Sequence, residues 1–245
     1  MEINFIIILA VIVFWASIVH GSIGFGFGMI CTPLVALFAD IQTTIMLMLF
    51  PTMLVNIVSI ISEGRFFEAI RKFWFIIFLM VVGSAIGTVL LIYANSDYFK
   101  FLLAAIIFIY LLQSKVKMRL SFISKYPKFS TYGLGIFGGI ISGLTNIVAP
   151  LMIMYTMELN YSKKDTIQLS NLCFLFTRFG QLAVFLYYSS FAIHTLEISM
   201  ISIIAVSIGL FFGIKVKEKI DTKLYIKILK FLLFFIASTL VLTTI

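Results

Sequence analysis

The chain has 245 residues, of which 62% are hydrophobic and only 11% charged. No water-soluble core needs that much apolar surface, so a soluble globular fold is excluded, and the long, nearly charge-free runs read as membrane spans. The net charge of +8 does not signal nucleic acid, because Lys and Arg fall in short loops between apolar runs and not on one binding face.

In chain order the apolar runs fall at 4–39, 41–62, 73–93, 99–114, 131–157, 166–188, 195–213 and 224–243. The chain opens MEINFIIILAVIVFW, with Glu2 and neither a basic region nor a small-residue cleavage site. That reads as a retained membrane segment and not a cleaved signal. The runs 41–62, 73–93, 166–188, 195–213 and 224–243 each suit one crossing of about 20 residues. The run 99–114 is short and is expected to extend into its flanks.

Two runs differ from the rest. Residues 4–39 are too long for one span and are interrupted by HGSIGFGFGMICTP at 20–33. Residues 131–157 are interrupted by Gly133, Gly135, Gly138, Gly139 and Gly143. Set side by side without a gap, HGSIGFGFGMICTPL and FGGIISGLTNIVAPL place Gly21 on Gly138, Gly26 on Gly143, Pro33 on Pro150 and Leu34 on Leu151. Beyond a slightly longer loop in the second copy, Thr44 and Ile45 fall on Thr166 and Ile167, Asn56 on Arg178 and Ser59 on Gln181. A glycine cluster leading to a proline in both halves points to an internal repeat. The expected organisation is repeat 1 at 1–114, a basic cytoplasmic linker at 115–130 and repeat 2 at 131–245.

Loop charge sets the expected topology. Basic residues collect at 63–72 (Arg65, Arg71, Lys72), 115–128 (Lys115, Lys117, Arg119, Lys125, Lys128), 158–165 (Lys163, Lys164) and 214–223 (Lys215, Lys217, Lys219, Lys223). If each broken run crossed once, 115–128 and 214–223 would lie on opposite sides, against the positive-inside tendency. If each is a re-entrant helix–turn–helix hairpin, all four loops are cytoplasmic, and Lys100, Glu2, Asp40, Asp97 and Glu197 lie outside. The fold class expected is therefore an all-α polytopic membrane protein of two inverted-topology repeats. Each repeat has one hairpin (4–39; 131–157) plus three transmembrane helices (41–62, 73–93 and 99–114; 166–188, 195–213 and 224–243). Both termini are expected outside a bacterial-type cytoplasmic (inner) membrane. Irregular backbone at membrane depth is tolerated only where protein or a cavity surrounds it, so the hairpin tips are expected near the midplane.

Arg178 is the candidate centre of function. Of the 18 basic residues it alone lies deep in an apolar run, and no Asp or Glu lies at comparable depth. An isolated charge there is costly and commonly marks a pathway. Its counter-charge is either a bound anion or the carbonyls of a hairpin, and a guanidinium can hold an oxyanion with two parallel hydrogen bonds. Asn171 and Gln181, seven residues before and three after Arg178, can share its helix face. Thr145, Asn146 and Gly143 form the second break, and Ser22, Gly24 and Gly26 the first. The second arm of each hairpin would aim its free N–H groups at the midplane, where they suit an anion. His20, just before the first tip, is a candidate for proton coupling. Cys31 and Cys173 read as packing residues, Pro33 and Pro150 as setting helix direction, Pro51 as a kink, and Tyr155, Tyr187 and Tyr188 as interfacial.

GSIGFGFGMICTPL near the N-terminus, returning mid-chain as GGIISGLTNIVAPL in an eight-segment chain of this length, resembles the TauE/SafE sulfite-exporter family, also called the TSUP permeases. The resemblance covers essentially the whole chain. It implies two inverted repeats and secondary transport of anions, often small sulfur compounds such as sulfite or sulfonates. The second tip departs in having Thr145 and Asn146 where many relatives have glycine, so the substrate does not carry over.

The expected function is alternating-access transport, by export, of a small and sulfur-containing organic or inorganic anion, with a small anion and the lipid bilayer as partners. No cofactor, metal or catalytic residue is expected, nor any nucleic acid. A non-transporting assembly protein in which Arg178 only locks the fold, and an anion channel, remain open alternatives. The sequence leaves the oligomeric state undetermined.

Overall fold

The computed structural model describes residues 3–93, 96–116, 121–188, 193–216 and 222–244. Every regular element among them is helical. The first half holds α1 (Ile3–Ile23), α2 (Phe27–Val35), α3 (Ile41–Leu47), α4 (Leu49–Glu63), α5 (Phe66–Tyr93) and α6 (Ser96–Val116). After α7 (Ser121–Lys125) come α8 (Pro127–Gly133), a π-helical turn (Leu134–Gly138), α9 (Gly139–Thr145), α10 (Ala149–Glu158), α11 (Lys163–Tyr187), α12 (Ile193–Val216) and α13 (Thr222–Thr244). Among the described residues four stretches are long and apolar enough to cross a membrane: α1, α5, α11 and Glu197–Val216 of α12. The bent pair α3–α4 makes a fifth. The apolar stretches of α6 and α13 are shorter, Tyr98–Leu112 and Leu233–Leu242. Trp15, Phe67, Trp74, Ile204 and Phe231 are more than half exposed, as suits side chains solvated by lipid. The chain is thus a polytopic helical membrane protein.

Most helices run past their apolar runs, because charged and capping residues extend them into the interface. The Ser162 hydroxyl accepts from the Asp165 N–H, so α11 starts at Lys163 and not at 166. Residues 115–130 are not simply a linker, since α7 and the start of α8 lie within them. Lys117, Arg119, Lys217, Lys219 and Glu2 lie outside the described residues, as does the Asp97 side chain.

Both broken runs fold back on themselves. Helix α1 stops at Ile23 because Gly24 and Gly26 take φ of +95° and +111°, a conformation L side chains resist. Helix α9 stops at Thr145 because Asn146 takes φ 59°. Asparagine tolerates that left-handed region better than most residues. The chain then reverses. Cys31 Sγ in α2 comes within 4.0 Å of the Ile12 carbonyl oxygen of α1. The Tyr155 hydroxyl of α10 lies 2.7 Å from Thr131 Oγ1 of α8, and Tyr155 is buried.

The helix breaks follow a different register from the ungapped match. Gly24 and Asn146, and the restarts at Phe27 and Ala149, have the same spacing as Asn56 and Arg178. Pro33 lies well inside α2 while Pro150 is in the first turn of α10, so the two prolines are not equivalent. Letter matching followed the prolines, whereas the positive-φ residue ends the helix.

Pro51 accounts for the 43° bend between α3 and α4. Proline lacks the N–H that would reach the carbonyl four residues back, and its ring crowds that carbonyl. The freed carbonyl is Leu47 O, and Ser199 Oγ of α12 donates to it at 2.8 Å. Ser199→Ala is therefore expected to cost about 1 kcal/mol, read as a lower melting temperature of purified protein in detergent.

Glycine pairs set the tightest helix contacts. Gly83 and Gly87 of α5 face Gly139 and Gly143 of α9, with the Gly143 position close to the Gly87 Cα. Gly209 and Gly213 of α12 face Ser17 and Gly21 of α1 in the same manner. In both pairs later residues of one helix meet later residues of the other, so the helices run parallel. Small residues four apart allow such close backbone approach, which drives helix association in lipid.

Contacts also sort the helix ends. At one end Lys72 pairs with Asp165 at 3.1 Å, Gln168 Nε2 donates to Gly64 O and Tyr161 packs on Phe73 and Tyr155. At the other, Gln42 Nε2 donates to Leu91 O and Tyr93 stacks on Tyr188.

Candidate functional site

The site forms where the two breaks meet. A Cβ built on Gly28, in the first turn of α2, would lie 2.8 Å from the Asn146 carbonyl oxygen. Only glycine lets the two tips touch.

Arg178, on α11, is 1% exposed. Its Nη2 donates to Ser142 Oγ at 2.8 Å, and its Nη1 donates to Asn146 Oδ1. Its Nε has no partner, and among the described residues no carboxylate pairs with it. The guanidinium therefore grips the second tip through hydroxyl and amide oxygens. That satisfies part of its hydrogen-bonding capacity and neutralises none of its charge.

The flanking amides on α11 hold one tip each. Gln181 Nε2 donates to Gly143 O at 3.0 Å and, at 3.4 Å, to Asn146 Oδ1. Asn171 Nδ2 donates to Gly24 O at 2.7 Å and to Ile167 O at 2.8 Å. One helix face thus anchors both breaks. Asn171→Leu is expected to free the first tip and cost about 1 kcal/mol. Faster proteolysis or hydrogen exchange at 20–30, with α11 unchanged, would register it.

His20 organises the first tip. The Phe27 N–H donates to its Nδ1 at 3.4 Å, so Nε2 carries the proton and donates to Ser59 Oγ of α4 at 2.8 Å. The tautomer follows from that network. The ring caps the start of α2 and ties it to α4.

A cavity of about 20 Å³ lies between the tips, room for about one water-sized molecule. Of the residues singled out from sequence, Arg178, Asn146, Gly26 and His20 line it. The others do not. Gly24, Gly143, Asn171 and Gln181 support the tips, Thr145 Oγ1 donates to Ile141 O and Ser22 Oγ donates to Val19 O. Six lining residues were not anticipated as site residues: Thr52, Phe27, Gly28, Met29, Ala149 and Phe174. A seventh, Asn56, carried a signal in the sequence, because the repeat register sets it against Arg178. Thr52 lies one turn before Asn56, on the same face of α4. Cys31 and Cys173 are buried free thiols away from the cavity lining.

Comparison with protein families matches residues 9–240 to the family described as Sulfite exporter TauE/SafE. Among curated proteins and solved structures, none matches the chain significantly. The match runs from α1 to α13 and takes in both breaks and Arg178, so the chain belongs to the sulfite exporter TauE/SafE family of membrane transporters.

Proposed function

We propose that the protein is a secondary transporter that exports small, sulfur-containing anions across a bacterial-type cytoplasmic membrane by alternating access. The observation that carries this reading is Arg178, a buried cation with no carboxylate partner among the described residues, set where two helix breaks touch. Positive charge without internal compensation favours an anion. First-turn N–H groups of α2 and α10, which have no intrahelical partners, add to the favourable field. A cavity of about 20 Å³ is too small for a sulfonate, so substrate entry requires the tips to separate.

The proposed frame is two inverted repeats with hairpins entering from opposite faces. It is supported by the helix pairing. The first hairpin packs α1 on α12 as the second packs α9 on α5, and both pairs use small residues four apart. The basic loops 63–72 and 158–165 meet at the end marked by Lys72, Asp165 and Tyr161, which supports a cytoplasmic placement for that end and termini outside. For each negative charge leaving the cell, a potential of 100 mV assists by about 2.3 kcal/mol. Export then needs no nucleotide hydrolysis. His20 is proposed as a proton-coupling group. Flux driven by an imposed pH gradient in wild type but not in His20→Gln would support that role.

The test is flux of sulfite, thiosulfate and sulfonates in proteoliposomes, beside ligand-dependent thermal stabilisation of purified protein. Saturable counterflow separates a carrier from a channel. Neither flux nor stabilisation by any of these anions would leave an assembly role as the better reading.

A further inference from the structure

Two side chains at the cavity play no part in holding the hairpins. Thr52 and Asn56 lie one turn apart on α4, are 6% and 1% exposed, and line the cavity. Thr52 Oγ1 and Asn56 Nδ2 have no hydrogen-bond partner. On the facing side Arg178 Nε and Asn146 Nδ2 are also unpartnered. Buried donors without acceptors carry a desolvation penalty, and native structures keep few of them. Four such donors, on residues that line one small cavity, call for a ligand that accepts.

Two of the acceptors on the lining are already in use. Asn146 Oδ1 takes Arg178 and Gln181, which also fixes which way its amide points. His20 Nδ1 takes the Phe27 N–H. None of the lining residues is acidic. The cavity therefore offers a ligand one positive charge and a ring of N–H and O–H donors.

We infer that Thr52 and Asn56 are substrate ligands, forming the α4 side of a site whose α11 side is Arg178 with the Asn146 amide. With its one positive charge, this donor set selects a monoanion. A dianion brings a second charge for which the site holds no cation, and burying an unpaired charge is expensive. The inference rests on the anion-transport reading above and specifies its site.

The test titrates purified full-length protein with methanesulfonate (monoanion) and sulfate (dianion), following Kd by calorimetry. Wild type is expected to bind methanesulfonate at least about tenfold more tightly than sulfate. Thr52→Val keeps the volume and removes the hydroxyl; it and Asn56→Ala are each expected to weaken methanesulfonate about tenfold. Melting without ligand reports folding, and Thr52→Val decides the matter if Asn56→Ala does not fold. An unchanged Kd in Thr52→Val, with binding lost in Arg178→Gln, overturns the inference and leaves the transporter reading standing. Equal affinity for sulfate overturns the selectivity. Full binding by Arg178→Gln overturns the α11 side of the site, whereas no binding of either anion by wild type counts against the transporter reading itself.

Discussion

Arg178→Gln is expected to abolish anion flux in proteoliposomes while the protein remains folded. The substitution removes the one buried cation at the tips and the donors it offers a ligand. Hydrogen bonds to a charged partner contribute about 1.5–3 kcal/mol each, so losing two corresponds to a flux reduction of about a hundredfold or more. Folding is expected to survive, because Gln181 still anchors Gly143 O and Asn171 still anchors Gly24 O. The unpartnered Nε and its buried charge also disappear. Arg178→Lys keeps the charge but loses the fork that reaches Ser142 and Asn146 together. It is expected to fall between wild type and Gln, with a higher KM. Flux and affinity at wild-type levels in Arg178→Gln would remove Arg178 from transport and make it a brace for the second hairpin.

The largest expected effect on stability comes from Gly87→Leu. A Cβ on Gly87 would lie 2.3 Å from the Ile140 carbonyl oxygen and 3.0 Å from its Cα. The obstacle is backbone, which cannot rotate aside as a side chain can, so α5 and α9 must separate. Overpacking costs about 1–3 kcal/mol where neighbours can adjust, and here the upper end or beyond is expected. The separated helix also carries Ser142 and Gly143, so the grip on Arg178 and Gln181 loosens with it. Size-exclusion profiles and melting curves in detergent would show loss of monodisperse protein. Gly133→Ala supplies the control. Nothing lies within 4 Å of its added Cβ, and alanine is the better helix former by up to about 1 kcal/mol. No loss of stability is expected there. Equal tolerance at both positions would sink the close-packing explanation.

Much of the fold was legible because lipid imposes a simple rule. Backbone polar groups must be satisfied internally, so apolar runs become helices and their limits follow composition. The two interruptions were legible because glycine clusters are rare enough to stand out twice. The bend at Pro51 was also foreseen, since proline's missing N–H is a local property. What composition could not reveal was which residue ends each helix. Gly24 and Asn146 do the same job with different side chains, so a register built on identical letters slid to the prolines.

Residue by residue, the site divides in the same way. Arg178 announced itself by charge, because a cation in an apolar run has no cheap explanation. The amides beside it, Asn171 and Gln181, were placed on the right face by helix periodicity. Their roles are different, though, since each holds a hairpin and neither lines the cavity. Thr52 looked like any threonine in a span, where bonding back to a helix carbonyl is the ordinary outcome. In the folded protein its hydroxyl has no such partner and lines the cavity.

The sequence by itself determined the membrane solvent, the helical class, the two breaks and the cation deep in an apolar run, because each follows from local chemistry: transfer of side chains to lipid, backbone freedom at glycine and the cost of isolated charge. The tertiary structure alone decided that the breaks touch through Gly28 and Asn146, which oxygens receive the guanidinium, and which donors stay unpartnered at the cavity. Those outcomes depend on the close approach of helices distant in sequence, which small-residue contacts such as Gly87 with Ile140 set and no local pattern encodes.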